Sequence, residues 1–358
     1  MAAAHTGGKL SRTGQGIAFS WLGAHLRGCL ETHTLQVLVT GATGFVGSHF
    51  VEALARSGSR VRALVRASSR TDTLRRTGAE IVCGTLDDPA LLRHAVDGVD
   101  VVYHLAALTK ARTADEYRRV NVEGSRALVE AAAAASARRF VYLSSLAAVG
   151  PSYDGRPVST ADVPRPLTQY GRTKLAGEEA CRAFADTLEV VVLRAAAVYG
   201  PRDRDLYRFF SMAARGVLAI PGGPDRPTQL VHVHDLVDAL VRAGSAPSPT
   251  EGVYHVAEAR AYPSVEVARL IAQAVGRPVR LLRVPPRMLS AAAAVSELGA
   301  GLVGRATIFN RDKARELLAP GWLCETLAAE RDLGFVARTA LPEGLKETAA
   351  WYRASGWL

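Results

Sequence analysis

The chain is expected to fold as an α/β protein with a doubly wound parallel sheet and a smaller, mostly helical lobe toward its carboxyl end. Three observations lead there. Short, nearly all-apolar runs alternate with helical stretches from Leu35 to about Gly200. A glycine-rich turn follows the first run, and beyond Gly200 the alternation becomes irregular. Strands that are apolar on both faces belong to a sheet covered by helices on either side, and such sheets are parallel. A length of 358 residues suits one large α/β unit with an added lobe.

The elements follow in order. LQVLV (35–39) is the first strand, and FVGSHFVEALARSG, from Phe45, reads as the helix after its turn. RVRALV (60–65), EIVCG (80–84) and VDVVYHLA (99–106) repeat the strand signal. RRFVYLSS (138–145) and LEVVVLR (188–194) add two more, with the helix of YGRTKLAGEEACRAFA between them. QLVHV with HDLVDALVRA reads as a strand and helix returning to this first domain. From about residue 258, Pro263, Pro278, Pro285 and Pro286 punctuate a helical lobe. The boundaries are therefore 35–200 with about 229–257 for the larger α/β domain, and 201–228 with 258–358 for the smaller lobe. Residues 1–34 show little periodicity and are read as a disordered or over-long extension, since the apolar patch from Ile17 to Leu22 is too short for a secretory signal.

Composition excludes several classes. No apolar run approaches the 18 or so residues of a spanning helix. Cys29, Cys83, Cys181 and Cys324 lie far apart, so neither a metal site nor a disulfide framework is supported, and a reducing cytoplasm fits best. The formal charge of +10 comes from scattered basic residues without interleaved aromatics, which argues against a nucleic-acid partner. Of the 44 basic residues only five are lysines.

Two motifs carry chemistry. VLVTGATGFVGSHF sets Gly41, Gly44 and Gly47 between a strand and a helix. Glycines there permit a tight turn, a close approach of backbone amides to a pyrophosphate, and close helix–strand packing. The helix amino-terminus adds free N–H groups and the positive end of its dipole. Tyr170 and Lys174 are four apart on an expected helix and share a face. An ammonium about 4 Å from a phenol, at an effective dielectric near 20, favours the phenolate by roughly 4 kcal/mol, or about three pK units. That would bring the phenol toward the working range of a general acid/base. In so arginine-rich a chain, a lysine here suggests that the compact ammonium is wanted. A hydroxyl at the preceding strand end, Ser144 or Ser145, would complete the set.

The second strand ends at Arg66, where enzymes selective for NAD usually place an acid on the ribose 2′-hydroxyl. Arg66 would instead clamp a 2′-phosphate. NADP(H) is therefore favoured over NAD(H).

At this point the sequence resembles the extended short-chain dehydrogenase/reductase family, from Leu35 to the carboxyl terminus. TGATGFVG, VYHLAA (102–107), NVEGS (121–125), SSLAAVG (144–150), YGRTK (170–174) and VYGPRD (198–203) carry the resemblance. It implies a Rossmann fold with Ser145, Tyr170 and Lys174 catalytic. It also implies that Thr43, Phe45, Val46, Leu86, Leu105, Ala106, Ala107, Asn121, Ala195 and Val198 join the glycine turn around the cofactor. One departure is Gly84-Thr85-Leu86, where the family commonly has Gly-Asp-Leu with the Asp on adenine.

The family also frames the reaction. Sugar 4,6-dehydratases carry an Asp-Glu pair where this chain has Leu146-Ala147-Ala148, and 4-epimerases have Tyr-Gly where it has Val149-Gly150. The stretch MLSAAAAVSELGAGLVG (288–304) offers few charges to a nucleotide diphosphate and suggests an apolar substrate. Resemblance is to the branch with 3β-hydroxysteroid dehydrogenase-like, dihydroflavonol-reductase-like and hopanoid-associated members. The expectation is a carbonyl reductase or alcohol dehydrogenase acting on an apolar small molecule, with no metal. Nucleotide-sugar 4-epimerase with tightly bound NAD is the alternative, and a nucleotide-sensing regulator a third. A homodimer is left open.

Overall fold

The computed structural model describes residues 34–222, 225–247, 252–302, 307 and 309–358. Of the expected amino-terminal extension, residues 1–34, all but Thr34 lie outside the described residues.

The first half alternates as the apolar runs require. Strand β1 (Gln36–Thr40) leads into α1 (Phe45–Arg56), then β2 (Arg60–Val65), α2 (Asp72–Arg76), β3 (Glu80–Cys83), α3 (Pro89–Val96) and β4 (Val101–His104). Next come α4 (Ala114–Arg118), a π-helical turn at Arg119–Glu123, α5 (Gly124–Ala134), β5 (Arg139–Ser145), α6 (Gln169–Arg182), β6 (Glu189–Ala195) and β7 (Ala197–Tyr199). The second half runs α7 (Tyr207–Ala214), β8 (Val217–Pro221), β9 (Pro227–Thr228), β10 (Leu230–His232), α8 (Val233–Ser245), β11 (Val253–Val256) and β12 (Tyr262–Pro263). It closes with α9 (Ser264–Val275), β13 (Arg280–Val284), α10 (Pro286–Leu302), α11 (Arg311–Leu318), α12 (Leu327–Leu333) and α13 (Leu341–Ala354).

Seven strands form one sheet in the order β11–β6–β5–β4–β1–β2–β3, and every neighbouring pair is parallel. Successive residues point to opposite faces, so each face needs its own apolar cover. Val37 and Val39 of β1 join the core formed with Phe50 and Leu54 of α1 and Leu236 and Leu240 of α8. Leu38 joins the opposite core, with Leu92 of α3, Leu128 of α5 and Cys181 of α6. The strand order reverses at β1, between β2 and β4, which is where such sheets open a crevice for ligands.

QLVHV and the helix after it pack in the core of the first domain through Val231, Leu236 and Leu240, but β10 pairs with β7 in a separate two-stranded ribbon. The seventh strand is VYHV, Val253–Val256, beside β6. Both segments are short, apolar and β-branched, and only the tertiary partner distinguishes them. A third core, with Tyr199, Phe210, Leu218, Ile271, Leu345 and Tyr352, knits α7, β8, α9 and α13 into the smaller lobe. That lobe is not wholly helical, since β8 and β13 pair in parallel within it.

Candidate active site

The glycine turn sits at the carboxyl end of β1. Gly41 has φ +71°, and a Cβ there would stand 2.7 Å from the Ala106 amide nitrogen, so both the left-handed backbone and the neighbouring loop demand glycine. A Cβ on Gly47 would lie 2.1 Å from the Gly41 carbonyl oxygen, which is why α1 can start so close to the turn. Gly44 caps α1 without any side-chain cap, and its first turn carries no acid. The leading N–H groups of α1 are thus free for phosphate oxygens, and this cradle fits a dinucleotide. Thr43 and Gly44 are exposed at the turn, with Phe45 and Val46 half-buried behind them. Arg66 directly follows β2, exposed, and its guanidinium meets no hydrogen-bond or ion-pair partner among the described residues.

A buried relay ties the turn to the next loop. Thr40 and His104, side by side in the β1–β4 register, bond through Oγ1 and Nδ1 at 2.6 Å. His104 Nε2 meets Ser125 Oγ at 2.9 Å, and Ser125 in turn donates to the Asn121 carbonyl at 2.8 Å. Ser125 has given its proton away, so His104 must donate from Nε2 and accept at Nδ1. Burial holds this imidazole neutral, with a pKa lowered to about 3. The Ala106 amide donates to Thr40 Oγ1 at 3.2 Å, which fixes the course of Leu105, Ala106 and Ala107.

Asn121 is fully buried; its Oδ1 accepts from the Leu108 amide at 2.7 Å and its Nδ2 donates to the Leu108 carbonyl and to Thr173 Oγ1. Its amide therefore fastens the loop after β4 onto α6. Leu86 and Val198 pack against the two sheet cores, and Ala195 ends β6 in the cavity wall.

The two serines at the end of β5 point apart, as neighbours on a strand must. Ser144 is buried and donates to Glu178, which is held in a buried ion pair by Arg194 at 2.7 Å. Ser145 faces the cavity, accepting the Ala147 amide at 3.1 Å. Helix α6 starts over this turn, with Thr168 capping the Gly171 amide at 3.0 Å. A Cβ on Gly171 would lie 2.3 Å from the Ala147 carbonyl oxygen. Glycine there lets the helix touch the turn, and Ser145 and Tyr170 face the same cavity. Burial pushes the Tyr170 phenol above its ordinary value, the Glu316 carboxylate adds to that, and the Ser145 hydroxyl opposes it.

Lys174 does not act on the phenol as the helical spacing suggested. It drops against β5, where Nζ donates to the Leu143 carbonyl at 2.8 Å and lies 3.9 Å above the Tyr142 ring. Burial lowers its pKa to about 8 against the pull of Glu178. The i, i+4 rule places both side chains on one face of α6, but the packing of that face on the strand decides their depth.

Ser145 and Tyr170 open into a cavity of about 460 Å³, within the usual range for small-molecule sites. Its walls are mostly apolar: Leu206 and Phe209 around α7, Leu218 and Ile220 of β8, and Val267 and Ile271 of α9. Charged groups that line the space include Lys110, Asp205, Arg226, Asp312, Lys313 and Glu316. Burial works against the Lys313 charge, but Glu316 at 3.0 Å, with Asp205 and Asp203, outweighs it and raises its pKa. Asp312 accepts the Gln169 amide at 2.8 Å and so ties α11 of the lobe to the start of the catalytic helix. The apolar stretch 288–304 was expected to face the substrate. None of its described residues lines the cavity, and Met288, Val295 and Leu298 are exposed instead. Its last residues, 303–304, lie outside the described residues. Away from the cavity lining, ligating atoms of His232, His234 and Glu347 lie within 4.8 Å of one another.

A sheet edge that joins an uncapped helix start to a serine–phenol pair can hold a nicotinamide dinucleotide against a carbonyl or alcohol. The chain is an NAD(P)-dependent oxidoreductase of the extended short-chain dehydrogenase/reductase type. It belongs to the NAD dependent epimerase/dehydratase family, whose sequence profile matches residues 37–257. Among its relatives, a ceramide reductase of Caulobacter vibrioides is 37% identical over 325 residues, 90% of this chain and 96% of that protein. Sterol demethylase protein B of Methylococcus capsulatus is 30% identical, across 90% of this chain and all of its own length. The solved structure of MoeE5 with UDP-glucose and NAD matches with a TM-score of 0.71 at 31% identity, covering 89% of this chain and 99% of that one.

Proposed function

We propose that the protein reduces a carbonyl group on an apolar, lipid-class substrate with NADPH. The observation that carries this reading is the cavity beyond Ser145 and Tyr170, with Leu206, Phe209, Leu218, Ile220, Val267 and Ile271 as walls. A long apolar body suits those walls, and the names of the ceramide reductase and the sterol-acting relative point the same way. The exposed, unpartnered Arg66 favours the 2′-phosphate of NADPH over NADH.

In this reading the bound dinucleotide supplies the hydride. The first N–H groups of α1 hold its phosphates. Ser145 Oγ donates to the carbonyl oxygen and orients it, and the Tyr170 phenol delivers a proton to that oxygen as negative charge develops. Tyr170 is suited to be the acid because burial keeps its phenol protonated until the developing alkoxide draws the proton. Lys174, one turn on, holds its ammonium on the Leu143 carbonyl, and the family resemblance implies that it would donate to the nicotinamide ribose. The apolar walls exclude water from the reacting carbonyl.

The test is steady loss of dihydronicotinamide absorbance with long-chain ketones presented in detergent, and no interconversion of UDP-glucose and UDP-galactose. Tightly retained NAD with sugar interconversion and no net absorbance change would refute it.

A further inference from the structure

The lobe turns an apolar helix face outward. In α10, Met288, Ala291, Ala292, Val295, Leu298 and Gly299 are all exposed, with Met288 at 63%, Val295 at 70% and Leu298 at 64%. Their spacing of three, four and seven residues puts them in a single stripe. The opposite side, where Ala293 is fully buried, rests on α11. A soluble helix normally hides its apolar stripe; this one shows it, and Leu282 on the preceding β13 is exposed as well.

Charge says what covers that stripe. From Gly276 to Ser296 the chain holds Arg277, Arg280, Arg283 and Arg287 and neither Asp nor Glu. Arg280, Arg283 and Arg287 are exposed on the segment that leads directly into the stripe, Arg283 standing 3.9 Å from Asp225. A symmetric contact with a second copy would set arginine against arginine, which disfavours a dimer through this face. A surface of lipid phosphates complements both features, since arginines meet the headgroups while the stripe enters the acyl boundary. At 17 residues α10 extends about 26 Å at 1.5 Å per residue, short of the roughly 30 Å hydrocarbon core. No helix among the described residues is long and apolar enough to cross a membrane, so this helix would lie in the interface plane.

We infer that α10 and β13 form a docking face for an anionic lipid bilayer, placed to pass a bilayer-borne substrate into the cavity. The juxtaposition supports this: α11, on which α10 rests, and β8, which pairs with β13, both line the cavity. The delivery role rests on the lipid-substrate reading, whereas the docking does not.

Vesicle co-sedimentation without substrate tests the docking. Phosphatidylglycerol-containing vesicles should bind the protein at least about tenfold more tightly than pure phosphatidylcholine vesicles, and less so as salt rises. Replacing Arg280, Arg283 and Arg287 by serine should weaken binding about 10²-fold. The triple variant Met288→Glu, Val295→Glu and Leu298→Glu should abolish it. Both variants should keep the parental melting temperature and NADPH affinity, and the arginine set serves as an independent check should the acidic set misfold. Equal binding to both vesicle types, no binding at all, or binding unchanged in both variants would overturn the docking face. So would a dimer that the acidic variant dissociates with no effect on vesicles. Vesicle binding by a protein that reduces no lipid ketone would sink the substrate reading and leave the docking standing.

Discussion

Replacing Gly171 with alanine separates positioning from chemistry. The new Cβ would lie 2.3 Å from the Ala147 carbonyl oxygen, where ordinary contact begins at 3.4 Å, so helix α6 and the turn after β5 must part by about 1 Å. Tyr170 rides on the first turn of that helix and Ser145 on the strand end, so the same displacement opens the serine–phenol pair. A misplacement of about 1 Å at a reacting centre costs on the order of 10²-fold in rate. The overpacking itself should destabilise by about 1–3 kcal/mol. The glycine turn at Gly41 to Gly47 lies on β1 and α1 and is not displaced, so NADPH affinity should stay within a few fold. Initial rates with a ketone substrate, fluorescence titration with NADPH and a thermal melt together decide the matter. A variant with kcat within threefold of the parent would show that contact between helix and turn does not set the geometry. Equal losses of rate and cofactor affinity would show that the whole crevice had moved.

Other perturbations probe single groups. Tyr170→Phe should lower kcat by about 10² or more while leaving NADPH binding within a few fold, as expected for losing a general acid; stopped-flow reduction of a ketone reads this directly. Arg66→Asp should reverse the preference for NADPH over NADH, with a loss of about tenfold or more for NADPH, measured by fluorescence titration. Lys174 has its pKa lowered from 10.5 to about 8; rate should fall as pH rises through about 8 and the ammonium is lost. Because the unfolded lysine stays protonated up to 10.5, stability should rise across that same window, which denaturant titration at several pH values would detect. His104, lowered from 6.5 to about 3, carries the same sign in a lower window. The unfolded chain takes up its proton first as pH falls below 6.5, so stability should decline toward pH 3, by up to about 1.4 kcal/mol per pH unit from this group.

Much of the fold was legible because its signals are local. An apolar run of five to seven residues ending in a glycine turn leaves few alternatives to a buried parallel strand, and β1 to β6 fall where their runs lie. The glycine turn was equally plain, since the positive φ at Gly41 and the crowding at Gly47 arise within seven residues of chain. Gly171 was within reach as well: it follows Tyr170 directly, though only the approach of Ala147 gives it a reason. His104 and Ser125 lay inside motifs that carried the resemblance, but nothing in either motif says that they bond to one another.

What the tertiary structure alone decided depends on contacts between distant segments. Choosing between QLVHV and VYHV for the seventh strand required knowing which one β6 meets, because both are short, largely apolar and rich in valine. Lys174 lies one turn from Tyr170 in either account, yet its depth against Leu143 and Tyr142 comes from how α6 packs on β5. The cavity draws on α7, β8, α9 and α11, and its charged lining brings Asp205 together with Lys313 and Glu316, more than a hundred positions further along the chain. Composition marked 288–304 as apolar but could not say which way its side chains turn. Periodicity fixes which residues of a helix share a face, and only a partner, a cavity or solvent determines what that face meets.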